Sequence, residues 1–576
     1  MKKLILTLAV ACVTTLVVAR TITVTSTADE YPTGPEGSLR AALAESEDGD
    51  TITFDDSLKG QTINIVGVNT AKADTSLVID KAITIDGNGV IIDGGWNGVA
   101  KSDAGGRIFL VSSGLGKVAF KDITLQNGHG RGWNCAGNQY FDGGAVYALS
   151  PVRFENCSLI HNASADETAY APSGVGARGG GAISAENDVE IVSCFFGTNC
   201  IPTGSSSYGG AIRQVRGTLT VTDTVFDHDY SSTFGGGVAY IGTEVTGATF
   251  RNCKFIENSS TMQNGVAGGA IYAEMASNAA LKLFDCVFRG GSGANQGGAI
   301  CCRNNVALVA VNCEFADSYT SFGGAIYANT TKPLLFLNCT FLGNAAATWG
   351  GAMEITDRAL CLVNCTIAGS YCAGNQGGGL YASRGLHLLN TVFGYNYWGS
   401  SMDFNDGNQN ENTCLRSLYK GKSTAPFGSN YTLATSLDEV PSVTKLFANY
   451  QMVSDMHGAG ATGARVQLPK SVVMPMFAED PKSVYSSRVI AIEKDSVLNG
   501  TGYPVRANVD YSYVEYSEDE GATWKQFFKL EDGVDTANMT LIAADQRGVP
   551  YKNGIPPIGA ATVAETSASG LQIFIR

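Results

Sequence analysis

Apolar residues recur along this chain in short alternating bursts separated by glycine, asparagine and aspartate, with no 3.6-residue stripe inside the repeating unit. Nine times between Gly143 and Leu380 two glycines are followed by a small or apolar residue and then by a mostly branched apolar one, beginning at Gly143, Gly180, Gly209, Gly235, Gly268, Gly297, Gly323, Gly350 and Gly377. An Asn-Cys-x-Phe-like phrase answers each of them 14 to 18 residues later, and successive units are 26 to 37 residues long. Two short β phrases per unit with turn residues between them predict rungs of a parallel β-helix. A leucine-rich or helical repeat does not fit this periodicity.

Strand alternation then assigns faces. In Gly268-Gly269-Ala270-Ile271-Tyr272-Ala273, Ile271 and Ala273 point inward and Tyr272 outward, and in the second phrase the Cys and the residue two later share the inner face. The Asn or Asp before each Cys, as at Asn156, Asp223, Asn252, Asp285, Asn312, Asn338, Asn364 and Asn390, suits a tight corner. There it tolerates a left-handed backbone and can hydrogen-bond to its equivalents on neighbouring rungs. Paired glycines permit a bend or a close backbone approach where a Cβ would clash.

Outside the refrain the pattern changes. Arg20–Thr25 reads as a first strand and Ser38–Glu45 as a short amphipathic helix with Ser38 as its N-cap, which would cover the open end of the coil. Residues 20–107 are thus an N-terminal cap with the first rungs, and 108–430 the regular rungs, ending in a polar stretch at 403–413. Residues 431–576 are a small β-rich region carrying Ser517-Glu518-Asp519-Glu520-Gly521-Ala522-Thr523-Trp524, which matches the Asp-box hairpin S-x-D-x-G-x-T-W. A single box is a fold element.

Composition narrows the function classes. The 576 residues are 44% hydrophobic and only 16% charged, with 70 glycines, so a large core can be buried. A net charge of -14 argues against a nucleic-acid partner, which would call for a basic stripe. Met1-Lys2-Lys3 followed by apolar residues to Val18 reads as a secretory signal, residues 1–19, with cleavage near Ala19. The alternatives are a membrane anchor, for which roughly 15 apolar residues fall short of the ~20 a span needs, and a lipoprotein signal at Cys12. No later run is long enough to span a membrane as a helix. Fifteen cysteines in an exported chain would ordinarily suggest disulfides. Seven of them (Cys157, Cys194, Cys253, Cys286, Cys313, Cys339 and Cys365) occupy one repeat position, which predicts a column of buried thiols one rung apart. Their spacing has no zinc-site pattern, and neither a metal nor another cofactor is expected.

The alternation of Gly-Gly-Ala-Ile, as at Gly180 and Gly209, with Phe-x-x-Asn at Phe255–Asn258, Phe341–Asn344 and Phe393–Asn396 resembles the repeats of chlamydial polymorphic outer-membrane proteins and related bacterial extracellular repeat proteins. Thr25–Asp29, Gly37–Leu43 and Asp50–Phe54 are similar to the N-terminal segments of such proteins, and Asp545–Pro550 with Pro557–Ala560 to their closing phrase. The resemblance implies a right-handed parallel β-helix of the pectin-lyase-like superfamily, and secretion, adhesion or surface display. One departure is that chlamydial members end in an autotransporter barrel, whereas fewer than 180 residues follow the last rung.

The same superfamily contains polysaccharide lyases and hydrolases, so catalysis has to be sought in side chains. Gly128-His129-Gly130 is a polygalacturonase-like triplet without the family's accompanying Asn-x-Asp and Asp-Asp phrases; Asp55-Asp56 is an adjacent pair near the N-terminus. Asp227-His228-Asp229 with Arg213 and Arg216 is the best polar cluster for a calcium-dependent lyase, but Asp227 and Asp229 fall where other rungs carry a turn and read as solvated. No residue is therefore assigned as catalytic. The outward position of the Gly-Gly strand reads Tyr147, Ser184, Arg213, Ala239, Tyr272, Cys301, Tyr327, Glu354 and Tyr381, with Tyr240 one place later. Tyr147, Tyr272, Tyr327 and Tyr381 are the binding candidates: exposed, they could stack on sugar rings, and otherwise they stabilise the face or lie under long turns. The expectation is an exported, non-enzymatic β-helix acting in surface adhesion or extracellular structure, with polysaccharide or cell-surface ligands. The alternatives are a carbohydrate-active enzyme and lateral self-association through strand edges.

Overall fold

A computed structural model of the chain describes residues 19–417 apart from 66–74, 100–104, 131, 134–138, 141, 165–177, 202–206, 233–234, 262–267, 294, 375, 398–403 and 407–412. It also describes a hairpin at 450–457 and 465–475, and most of 500–560. Residues 1–18, which hold the predicted signal and Cys12, lie outside the described residues, as do Cys135, Arg547 and Gly548.

The chain forms an all-β parallel solenoid of about 11 turns. Each mature rung carries four strands where the sequence suggests two. One rung runs Ile300–Asn304, Ala307–Val311, Glu314–Ala316 and Tyr319–Phe322, and the next Ile326–Thr330, Leu334–Leu337, Thr340–Leu342 and Ala345–Trp349. We call the four stacks the Gly-Gly, second, Cys-Phe and fourth columns. The first two merge into one 24-stranded sheet because a single long strand serves both columns in two rungs, at Ile212–Thr222 and Ala239–Arg251; the Cys-Phe column is a 12-stranded sheet and the fourth a 9-stranded one. Pairing is parallel and rung-to-rung throughout, for example Ile300 with Ile326 and Phe315 with Phe341. The predicted first strand, Thr21–Val24, pairs with Thr51–Phe54 in the second column, and the helix Leu39–Glu45, with Ser38 Oγ accepting from Ala41 N, packs Leu39, Ala42 and Leu43 into the core.

The refrain's residues have the expected duties. Phe226, Phe255, Phe288, Phe315 and Phe341 stack ring on ring inside the coil, with centroids 4.3 to 5.0 Å apart and planes within 13°. All ten corner residues from Asp122 to Asn390 hold a left-handed backbone, φ 46° to 55°. Their side chains bridge rungs, as in Asn312 Nδ2 to Asp285 Oδ1 at 3.0 Å, Asn364 Nδ2 to Asn338 Oδ1 at 3.0 Å and Asn390 Nδ2 to Asn364 Oδ1 at 2.9 Å. In a pair such as Gly323-Gly324 the two members differ. The first turns with positive φ, 63° at Gly323, and the second approaches the next rung, so that a Cβ on Gly324 would meet the Gly351 carbonyl oxygen at 1.9 Å.

The cysteine column is reduced and buried, and it has a polar duty that spacing does not suggest. Cys313, Cys339 and Cys365 each donate Sγ–H to the carbonyl two residues earlier at 3.3 Å, a second bond to a carbonyl that also accepts the corner N–H of the preceding rung, from Asp285, Asn312 and Asn338 respectively. Where Thr224 and Thr391 replace Cys, their hydroxyls donate to the equivalent carbonyls at 2.8 and 3.1 Å. The remaining described cysteines fall into place as well: Cys301 on the outer face of the Gly-Gly column, Cys302 and Cys414 in the core, Cys361 on the outer face of the second column, and Cys200 and Cys372 on the fourth.

That second column has an apolar exterior, Phe284, Val309, Val311, Leu335, Leu337, Val363, Leu389 and Leu415, and a four-stranded antiparallel sheet lies against it through Val505, Ala507, Val514, Tyr516 and Phe528. Side-chain hydrogen bonds fix the contact: Asn390 Nδ2 to the Tyr503 carbonyl at 2.7 Å, Thr340 Oγ1 to Gln546 Oε1 at 2.6 Å, and Ala560 N to Thr366 Oγ1 at 2.9 Å. The Asp-box closes the hairpin between Tyr513–Tyr516 and Lys525–Lys529. Asp519 takes Thr523 N at 2.7 Å and the hydroxyls of Ser517 and Thr523, which hold its carboxyl down to about 2, and the Arg506 guanidinium lies 4.3 Å above the Trp524 ring.

Candidate functional site

Rung-to-rung registration puts Tyr147, Ser184, Arg213, Tyr240, Tyr272, Cys301, Tyr327, Glu354 and Tyr381 in one file on the outer face of the Gly-Gly column. The member in the fourth of these rungs is Tyr240, not Ala239, because that rung's working glycine pair is Gly236-Gly237 within a run of three.

Of the two readings of this file, rings open to a ligand or rings that stabilise a covered face, the burial of its tyrosines fits the second. Tyr147, Tyr272 and Tyr327 are only 3%, 2% and 7% exposed, and Tyr381 is half-buried. The side chains point outward as alternation requires, but neighbouring arginine and aromatic side chains lie over them. Arg107 lies 5.4 Å above the Tyr147 ring, and Tyr208 and Tyr240 cover Tyr272 at 6.3 and 5.6 Å. Phe322 and Arg303 cover Tyr327, and Trp349 covers Tyr381 at 5.2 Å. The rings that reach solvent are those of the cover: Tyr208, Tyr240, Phe322 and Trp349, with Tyr381 at the end. The residues immediately before glycine pairs, Tyr208, Phe322 and Trp349, were the missed signal; Phe322 and Trp349 pair directly from rung to rung.

Polar groups are threaded between the rings. Arg213 Nη1 reaches Asp142 Oδ2 and Ser184 Oγ, each at 3.4 Å, the Tyr272 hydroxyl donates to Glu274 Oε1, and Arg303 Nη2 donates to Gln296 Oε1 at 2.5 Å. Glu354 is 2% exposed, and desolvation raises its carboxyl to about 8, so that it is mostly protonated at neutral pH.

The catalytic candidates weighed from sequence do not converge. His129 is buried on the fourth column, in the strand His129–Gly130, with Trp96 at 5.7 Å; it is not on a turn. Asp55 caps a 3-10 turn through Ser57, and Asp56 accepts from Asn88 Nδ2 at 2.9 Å. Asp227 and His228 sit at the end of a Cys-Phe strand, hydrogen-bonded to each other, whereas Arg213 is on the Gly-Gly column and Arg216 pairs with Glu186 and Glu244.

The expectation that Asp229 is solvated is overturned. Its side chain is fully buried within an inner asparagine ladder. Asn162, Asn199 and Asn258 there donate Nδ2 to the carbonyls of Leu125, Leu159 and Phe226 on the preceding rung at 2.8 to 3.0 Å, and Asp229 Oδ1 accepts from Asn199 N and Nδ2. Burial pushes its carboxyl well above the ordinary range.

A concavity of about 820 Å³ lies between the solenoid and the C-terminal sheet, lined by Thr249, Asn278, Lys282, Asp510, Ser512 and Asp535, with Lys282 Nζ 3.0 Å from Asp510 Oδ2. Among the described residues no group of three or more His, Cys, Asp or Glu is placed to hold a metal ion, and no helix is long and apolar enough to cross a membrane. Comparison with known proteins adds no name to this geometry: no protein-family model matches the chain, and a search of curated proteins gives no match.

Proposed function

We propose that this chain is an exported, non-enzymatic β-solenoid that acts at a cell surface or in the extracellular matrix by adhesion, in the manner of the bacterial extracellular repeat proteins whose repeats it resembles. The observation that carries the proposal is the aromatic strip over the Gly-Gly column. From Tyr208 and Tyr240 through Phe322 and Trp349 to Tyr381, partly exposed rings are distributed over seven rungs stacked about 4.8 Å apart, on a floor of buried tyrosines and ion pairs. A rigid, linear array of ring faces suits an extended ligand, a polysaccharide or a surface-attached chain, better than a small molecule engaged in one pocket. The polar side chains that would have to cooperate in lyase or hydrolase chemistry are distributed over three different columns, which supports the non-enzymatic reading over a carbohydrate-active enzyme of the pectin-lyase-like kind.

The test is retention without cleavage. The purified mature chain, incubated with a panel of polysaccharides with and without calcium, is expected to co-sediment with at least one insoluble member and to release neither unsaturated nor reducing ends. Product release would overturn the proposal in favour of the enzyme, and binding to no polysaccharide and no cell envelope would overturn the adhesive role. N-terminal sequencing of the exported chain is expected to begin at or next to Arg20, and a sedimentation profile rising with concentration would reveal lateral self-association.

A further inference from the structure

Glu354 is the acidic member of the file, and one of its carboxyl oxygens has no partner. Tyr327 stands beside it on the preceding rung and Tyr381 on the following one. Its Oε2 is buried and meets no hydrogen-bond donor. The other charged groups of this face each have a partner, Arg213 in Asp142, Glu274 in the Tyr272 hydroxyl, and Arg303 in Gln296 and the ring of Tyr327, although Arg213 Nε and Arg303 Nε are buried without one. Above this part of the file, Phe322 and Trp349 meet edge to face at 5.6 Å and 78°, and Trp349 continues onto Tyr381 at 5.2 Å. Tyr327 and Tyr381 therefore flank a carboxyl with an unused acceptor, Phe322 and Trp349 pack over these two tyrosines, and Phe322, Trp349 and Tyr381 are partly open to solvent. Ring faces carry negative potential and attract cations, and a buried carboxylate gains most from a partner that brings both charge and an N–H.

We infer that Glu354, with Tyr327, Tyr381, Phe322 and Trp349, forms a binding site for a primary alkylammonium group, presented by a lysine side chain of a partner protein or peptide. The ammonium enters by parting the edge-to-face pair of Phe322 and Trp349, donates to Glu354 Oε2, and leaves its methylene stem against the rings. The inference rests on the surface-recognition reading and gives it a partner chemistry. Occupation requires the carboxylate, so the proton of Glu354 leaves to solvent as the ammonium binds. The titratable groups facing Glu354 are Tyr327 and Tyr381, both raised by burial, and Cys301 and Cys372, raised to about 12 and about 11; the nearby cation is Arg303. Only the Glu354 carboxyl among them changes charge between pH 6 and 9.

The experiment is titration calorimetry of the full mature chain with Nα-acetyl-lysine N-methylamide at pH 6, 7 and 8.5, in two buffers of different ionisation enthalpy. Affinity is expected to rise roughly tenfold per pH unit up to about pH 8 and then level off, with a buffer-dependent heat reporting proton release below that pH. The uncharged norleucine analogue should not bind measurably, and the trimethyl-lysine analogue, lacking an N–H, should bind at least several-fold more weakly. Glu354→Gln should abolish the pH dependence and weaken binding tenfold or more; Trp349→Ala should weaken binding and keep the pH dependence. Equal binding of the lysine and norleucine analogues to the wild-type chain overturns the inference even if a variant fails to fold, as does undiminished binding by a folded Glu354→Gln. Failure here combined with polysaccharide retention would remove the lysine site and leave the adhesive reading standing.

Discussion

Replacing Asp229 by Asn should make this protein more stable, and increasingly so as pH rises. At the neighbouring rungs of the inner ladder an Asn Nδ2 donates to the carbonyl of the preceding rung, and by register the acceptor facing Asp229 is the Phe196 carbonyl. Asp229 Oδ2 is buried and finds no donor, so an ionised carboxylate would set two acceptors against each other. A protonated carboxyl can donate instead. The folded protein therefore holds a proton that the unfolded chain gives up near the ordinary value of about 3.9. The sign follows: the group's folded pKa is raised, so native stability is greatest below the unfolded value and falls as pH climbs toward the folded one. While the native state keeps its proton and the unfolded state has lost it, the loss is about 1.4 kcal/mol per pH unit. Over the range of pH in which the native carboxyl keeps its proton, the advantage of Asp229→Asn should thus widen at about that rate, on top of about 1 kcal/mol for the restored amide hydrogen bond. Urea titrations of both proteins at pH 5, 6 and 7, followed by far-ultraviolet circular dichroism, measure the difference directly. Solenoids can unfold in segments, and the comparison uses the transition that contains this rung, identified by peptide-level hydrogen exchange. A gap that stays constant across pH, or an Asn variant less stable than the parent at every pH, would refute the reasoning.

Two further outcomes test the packing. Gly324→Ala should cost more than about 4 kcal/mol or prevent folding, because its Cβ would sit 1.9 Å from the Gly351 carbonyl oxygen and only separation of two rungs relieves that; Gly247→Ala, with nothing within 4 Å, should stay within about 0.5 kcal/mol in the same denaturation assay. The column thiols, with Cys253, Cys313 and Cys339 pushed well up by burial, should resist a disulfide reagent at pH 8 in the native protein and react fully in guanidinium; rapid labelling of any of these three, read by peptide mass spectrometry, would contradict a closed column.

The Gly-Gly and Cys-Phe columns were legible in the sequence because each is specified by residues that local geometry demands. A left-handed corner calls for Asn or Asp at Asn312 and Asn338, and a rung contact closer than a Cβ permits calls for glycine at Gly324. The second and fourth columns were not legible, since strands such as Leu334–Leu337 need only be apolar on both faces and Tyr371–Cys372 is two residues long. At the candidate site, alternation told correctly that Tyr272 and Tyr327 point away from the core. It could not tell what covers them, because burial there depends on neighbouring arginine and aromatic side chains. Asp229 was misjudged for a related reason: its neighbours Asp227 and His228 are solvated, and only the three-dimensional register reveals that the next residue turns inward to join Asn199 and Asn258.

The apolar exterior of the second column imposes an order of events on synthesis. Phe284, the first residue of that exterior, leaves the ribosome about 220 residues before Val505, the first of those that shield it, which at typical elongation rates of 5–20 residues per second is roughly 10 to 45 seconds. During that interval the stacked rungs would present a growing greasy stripe, while their own cores are already complete. A chain exported after translation must be kept from coiling prematurely, and a chain folding as it emerges needs something to occupy the stripe until Val505 to Phe528 arrive. The C-terminal sheet is in this sense the solenoid's built-in chaperone, delivered late.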